Sequence, residues 1–222
     1  MKSLLKVMLV IALAFASTFV LGRALGILTE DNVRAWIEAA NNLSALTVMG
    51  VIIALLFIDL FVAVPTLTIV ILGGYFLGAE FGFAAAMIGS SLAAFGGYAI
   101  CARWGEAALA RVMRDEAKRR DMRSAFEAHG PGMVLLARAA PILPEVTACM
   151  AGLTGMPILR FALLWAIGTT PYMAIAAYAG SVSTLENPMP AIYAVLGLYA
   201  TMWTGWFVYR RTRLNRTTNP AL

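Results

Sequence analysis

From Ala39 to Ala102 the chain carries only two charged residues, Asp59 and Glu80. A run that long and that apolar has few homes outside lipid. The 222 residues are 61% hydrophobic and 13% charged, where soluble domains are roughly half apolar and a quarter charged. The expected class is an all-α polytopic membrane protein of one domain. At membrane depth an ionisable side chain is costly, so its default reading is function. Asp59 is one such group. Arg138 and Glu145 form a second island, bracketing Pro141 and Pro144.

The net charge of +5 is unevenly placed. Basic residues cluster between Arg103 and Arg123 and in a tail holding Arg210, Arg211, Arg213 and Arg216. This reads as a positive-inside signal that puts both clusters on the cytoplasmic side, with contact to anionic lipid as a lesser role. No aromatic-rich basic face accompanies them, which argues against nucleic acid. Cys101 and Cys149 have no metal or redox spacing and read as small packed hydrophobes. His129 reads as a solvated loop residue.

Hydropathy divides the chain into an N-terminal anchor and interfacial segment (1–44), a core (45–185), and a last membrane helix with its basic tail (186–222). Lys2, Lys6 and Ala14-Phe15-Ala16 imitate a signal peptide. The run from Val7 to Gly22 is about 24 Å long as a helix, short for a hydrocarbon layer of about 30 Å. An uncleaved anchor is nevertheless expected, and Trp36 and Ile37 suit an interfacial helix after it. In the core, Ala45 to Val64 is apolar apart from Asp59. Pro65, Gly73, Gly74 and Gly78 then crowd too many breakers into one stretch for a straight helix, so a re-entrant hairpin is predicted over 65–80. Phe81 to Ala102 spans, a charged surface helix follows over 103–129, and a second re-entrant hairpin is predicted over 131–157, with Pro141, Pro144 and Gly152 as its breakers. Phe161 to Leu185 spans with a kink at Pro171. Asn187 to Tyr209 spans last, with Trp203, Trp206 and Tyr209 as an interfacial belt. Four to five spanning helices result.

Pro65, Gly73 and Gly89 recur as Pro144, Gly152 and Gly168, each 79 positions later. The same shift takes Thr68 to Thr147 and Asp59 to Arg138. This predicts two copies of one unit, a hairpin followed by a spanning helix, arranged as an inverted repeat of the kind secondary transporters use. Asp59 and Arg138 would then approach one another from opposite faces. Counting spans backward from the basic loop puts Met1 outside, against Lys2 and Lys6, so the side of the N-terminus stays open.

Arg138-Ala-Ala-Pro141-Ile-Leu-Pro144-Glu145, followed by Ala151-Gly152-Leu153-Thr154, resembles the second signature of the VTT-domain superfamily, the DedA or SNARE-associated Golgi proteins. Pro65, Gly73 to Gly78, Gly82 and Gly89 resemble its first signature, and Gly168-Thr169-Thr170-Pro171 fits the helix after the second. The resemblance covers roughly 59–181. It implies two opposed re-entrant hairpins and movement of lipid, by scrambling or flipping phospholipids or polyprenyl phosphates, with membrane acids and arginines needed. Asp59 matches the acidic position before the first hairpin and Arg138 the first arginine of a pair. Pro144 fills the second arginine's slot, which looks more like the Tvp branch than DedA proper and speaks against carrier-lipid flipping.

The expected activity is transport or scrambling of a phospholipid or small anionic solute, with proton coupling. The expected location is a bacterial inner membrane. The expected partners are membrane lipids, with a homo-oligomer allowed. Arg138 offers a planar fork for phosphate. A helix broken at Pro141 and Pro144 exposes free N–H groups, and Gly73, Gly74 and Gly152 admit close backbone approach. Desolvated carboxyls at Asp59 and Glu145 could exchange protons near neutral pH. Plainer readings stand beside these. Asp59 and Arg138 would be a static ion pair, Glu145 a helix cap, Glu80 a surface group, and the prolines and glycines packing residues. No Ser-His pair, phosphate-binding Gly-Lys motif, metal cluster or cofactor motif points to an enzyme. The competing non-enzymatic role is a membrane scaffold or envelope-maintenance factor.

Overall fold

A computed structural model describes residues 43–218 except 63, 113, 140–142 and 185–186. The anchor segment, Pro141 and the last four residues, 219–222, lie outside the described residues. Every regular element among the described residues is helical. α1 (Ala45–Ile58) starts at Ser44, whose Oγ accepts from the Thr47 N–H at 3.2 Å, an N-cap that satisfies one orphan donor. α2 (Thr66–Val112) begins just after Pro65, as a helix can because the proline lacks an N–H that would go unused anyway.

α2 is two helices. Gly78 has φ 79° and ψ 170°, backbone open in practice to glycine alone. The chain reverses there: a Cβ on Gly82 would lie 2.7 Å from the Gly73 carbonyl carbon. In an unbroken helix those residues would be about 13 Å apart. The stretch predicted over 65–80 therefore folds back on itself at Gly78, with one short arm, 66–77, and one long arm, 79–112. Glu80 lies exposed two residues past the turn.

α3 (Glu116–Leu135) is capped by Asp115, which accepts from the Ala117 and Lys118 N–H groups. The Lys118 side chain adds an ion pair at 3.0 Å, and its hydrogen bond holds the Asp115 carboxyl below the usual carboxylate range. Two features differ from expectation. The surface helix foreseen over 103–129 is split by the cap at Asp115, with 103–112 ending α2. His129 lies inside α3, half-buried, its Nδ1 3.0 Å from the Ala125 carbonyl. Charge pairing is as foreseen: Glu116 with Arg120 at 3.5 Å, and Glu106 of α2 with Arg123.

A 3-10 turn (Ala137–Ala139) leads to α4 (Leu143–Leu153) and α5 (Ile158–Ser181). Between α4 and α5 the N–H of Met156 bonds the Ala151 carbonyl and that of Gly155 the Gly152 carbonyl, with Gly155 at φ 72°. This is a Schellman closure, with Pro157 preventing continuation. Gly152, expected as a breaker, instead lies within α4, and the turn is made by Gly155. Pro131, expected to open the second hairpin, lies inside α3. α6 (Met189–Thr218) ends the described chain.

The halves interlock reciprocally. A Cβ on Gly74 would overlap the Ala177 carbonyl, and one on Gly152 would overlap the Tyr98 carbonyl; Tyr98 and Ala177 are themselves 79 positions apart. Gly89 presses on Ile53 and Leu56, while its counterpart Gly168 presses on Leu135, the counterpart of Leu56. Each short arm thus packs against the long helix of the other half, as a two-fold relation requires. Small residues permit the approach because helices in lipid associate by close packing. Two apolar clusters form the core and each draws on both halves, one around Ala94, Met122, Phe126, Met150 and Phe161, the other around Leu56, Val70, Met173 and Ala176.

This packing overturns one expectation. Cys101 and Cys149 are joined in a disulfide, with Cα atoms 5.1 Å apart. The contact of Gly152 on Tyr98 draws α4 and the long arm of α2 close enough for it. In the other half the corresponding crossing is the contact of Gly180 with Ile71.

Among the described residues two helices, Thr66–Arg111 with its turn at Gly78 and Ile158–Ser181, are long and apolar enough to cross a membrane. Ala45–Ile58 and Leu143–Leu153 are apolar but shorter.

Candidate functional site

Past α1 the chain turns toward Pro65, with the N–H groups of Leu60, Phe61 and Val62 bonded to the carbonyls of Phe57 and Ile58. Asp59 supplies acceptors: its carboxylate receives the Val64 N–H at 2.8 Å and the Thr66 hydroxyl at 2.6 Å. It is 4% exposed. At the corresponding place after α3 stands Arg138, 8% exposed in the 3-10 turn. Its Nε donates to the Thr169 hydroxyl at 3.5 Å, and its guanidinium lies 5.6 Å from the Tyr172 ring centroid, within cation–π range. Glu145, 9% exposed, is in the first turn of α4, where the helix dipole favours an anion.

All three side chains line one cavity, with Ser90, Pro144 and Trp165 also on its wall. Together with the open solvent at its mouth it spans about 290 Å³, of which about 10 Å³ can hold the centre of a water molecule. The three groups act on one another electrostatically. Among the described residues, however, Arg138 makes no ion pair within 4.0 Å. The static Asp59–Arg138 pair weighed from the sequence is not formed. The two carboxyls and the cation share a cavity without neutralising one another directly, and the guanidinium's terminal nitrogens keep donor capacity for a ligand.

The cavity lies where the two halves meet, and its chemistry comes from positions at which the repeat is broken. The 79-residue shift pairs Asp59 with Arg138, Thr66 with Glu145, Ser90 with Thr169, and Ala86 with Trp165. Packing positions keep their residue type, as Pro65 and Pro144 or Gly89 and Gly168 do. Of the expected breakers, Pro144 borders the cavity, whereas Gly73, Gly74 and Gly152 serve helix contacts. Ser90, Thr169, Tyr172 and Trp165 were not foreseen. The first two follow Gly89 and Gly168 and were within reach of the repeat; the aromatics carried no sequence signal. No group of three or more potential metal ligands occurs among the described residues.

The model of the VTT domain family matches residues 64–182, more than half of the chain. The chain belongs to the VTT domain family. The match runs from the residue before Pro65 to the end of α5, and so takes in the turns at Gly78 and Gly155, Arg138 and Glu145, while Asp59 precedes it. VTT domain proteins are associated in general with membrane transport or lipid flipping, and the family together with the two long apolar helices suggests a membrane protein. Comparison with curated proteins and with solved structures returns no match.

Proposed function

We propose that this VTT domain protein moves a phosphate-bearing lipid headgroup or a small anion across the membrane, through the cavity between its halves. The observation that carries this reading is the convergence of Asp59, Arg138 and Glu145, drawn from both halves, on one cavity. Arg138 binds the ligand oxyanion. Asp59 and Glu145 take up and release protons, and when ionised they compete with the ligand oxyanion for Arg138. Each hairpin enters the lipid from its own face, and alternating access is a rocking of one half against the other. The protein sits in a bacterial inner membrane with α3 and the basic tail cytoplasmic, and works without covalent chemistry. Pro144 in the slot of a second arginine favours the Tvp-like branch.

The test is flux by the purified protein in proteoliposomes, with headgroup-labelled phospholipids of several classes and with inorganic phosphate. Flux of at least one of them above that of protein-free liposomes is expected. Collapsing the proton gradient is expected to slow it; flux indifferent to the gradient would make the protein a scramblase and remove the coupling. No flux of any substrate would overturn transport and favour the scaffold role, with α3 as the partner surface.

A further inference from the structure

Trp165 combines two features. It lines the same cavity as Arg138. Its Nε1–H is also the one buried side-chain polar atom without a hydrogen-bond partner among the described residues, in a side chain 7% exposed. A buried N–H with no acceptor is destabilising, and native proteins rarely keep one without a use. The indole is held in place, its ring 5.6 Å from that of Phe95 and packed in the cluster of Phe126 and Phe161. The repeat makes the position telling. Its counterpart, Ala86, is a fully buried methyl on the equivalent helix, so the fold does not require a large side chain or a donor at this position. The tryptophan occurs in one half only, the half that also supplies Arg138.

We infer that Trp165 is a ligand-contacting residue whose indole N–H donates to the anionic oxygen held by Arg138. This rests on the reading of the cavity as an anion path and adds to it a neutral donor. Arg138 supplies charge, and its Nε is already engaged by Thr169. An indole N–H supplies direction without a second positive charge. It can hold an oxyanion yet release it when a carboxyl of Asp59 or Glu145 competes. The ligand chemistry required is a phosphate-type oxyanion, carried by a lipid headgroup or free in water.

The experiment uses the full chain with its tryptophan indoles labelled with ¹⁵N, in a phosphate-free maltoside detergent. The Trp165 resonance is assigned by its loss in Trp165→Phe. Inorganic phosphate is titrated in one arm; in the other the protein is moved into phosphatidylglycerol nanodiscs. A saturable shift of the Trp165 indole resonance with phosphate identifies the free anion as ligand, and a shift only in the nanodiscs identifies the headgroup. Binding itself is read separately, with ³²P-labelled phosphate or phosphatidylglycerol, and in the arm that responds Trp165→Phe is expected to weaken it about tenfold, the scale of one hydrogen bond to a charged acceptor. An indole resonance unmoved in both arms would overturn the assignment, even if Trp165→Phe fails to fold. If Arg138→Gln still abolishes binding, the cavity reading survives that failure. Unchanged binding in Arg138→Gln would defeat the cavity reading itself.

Discussion

Gly152→Val is expected to leave almost no correctly folded protein. A Cβ at this position would meet backbone on the facing helix: it would overlap the Tyr98 carbonyl and lie 3.0 Å from the Ala102 nitrogen. Neither atom can step aside as a flexible side chain would, so α4 must move away from α2. That movement strains the Cys101–Cys149 link and pulls Met156 from the Tyr98 hydroxyl, which donates to its carbonyl at 2.5 Å. Overpacking of this kind costs about 3 kcal/mol or more. Gly74→Val is expected to do the same at the reciprocal contact with Ala177. Gly197→Val is the control, since nothing lies within 4 Å of a Cβ there. Size-exclusion profiles and thermal melts of the three variants in detergent check this. Wild-type melting by Gly152→Val would disprove the interlocked halves.

Removing the cavity's cation is expected to be nearly as damaging, for a different reason. Arg138 is the one cationic residue lining the cavity among the described residues, and it faces two buried carboxyl groups. Deleting one member of a buried charge set leaves the others less compensated, with about 3–5 kcal/mol, the cost for a directly bonded buried pair, as the upper bound. Arg138→Ala should therefore lower the melting temperature at neutral pH by many degrees. The triple variant Arg138→Gln, Asp59→Asn, Glu145→Gln should recover most of the loss, because it removes the charges together. Asn is a fair replacement for Asp59, as its carbonyl oxygen still accepts the Val64 N–H. A triple variant no more stable than Arg138→Ala would show that Arg138 matters through packing on Tyr172 rather than through charge.

The sequence made some of this architecture legible and hid the rest for physical reasons. Prolines and glycines mark the two segments in which the chain reverses, at Gly78 and at Gly155, because few other residues tolerate a reversal inside an apolar stretch. The turn residue itself was harder. Gly78 and Gly152 both read as breakers, yet in the second segment Gly155 is the one at positive φ. A glycine for backbone freedom and a glycine for helix contact look alike in sequence. The repeat brought Asp59 and Arg138 together before any coordinates, since a two-fold relation places equivalent positions about one axis. Carried further, the same shift relates Tyr98 to Ala177 and would have set Cys101 beside α4, where hydropathy alone saw two small hydrophobes. The split of the charged segment was written in Asp115, a good N-cap residue, but its charged neighbours masked the boundary. Trp165 and Tyr172 had no signal. An aromatic residue in an apolar helix is ordinary until its surroundings are known.

The most direct measurement is flux through Arg138→Gln, Asp59→Asn and the double variant, reconstituted at matched folded abundance and followed across a pH series. Each single variant is expected to lose at least about tenfold in flux, and the double variant to lose the pH dependence as well. Flux at the wild-type rate, with wild-type pH dependence, from all three well-folded variants would contradict the assignment of the cavity as the path.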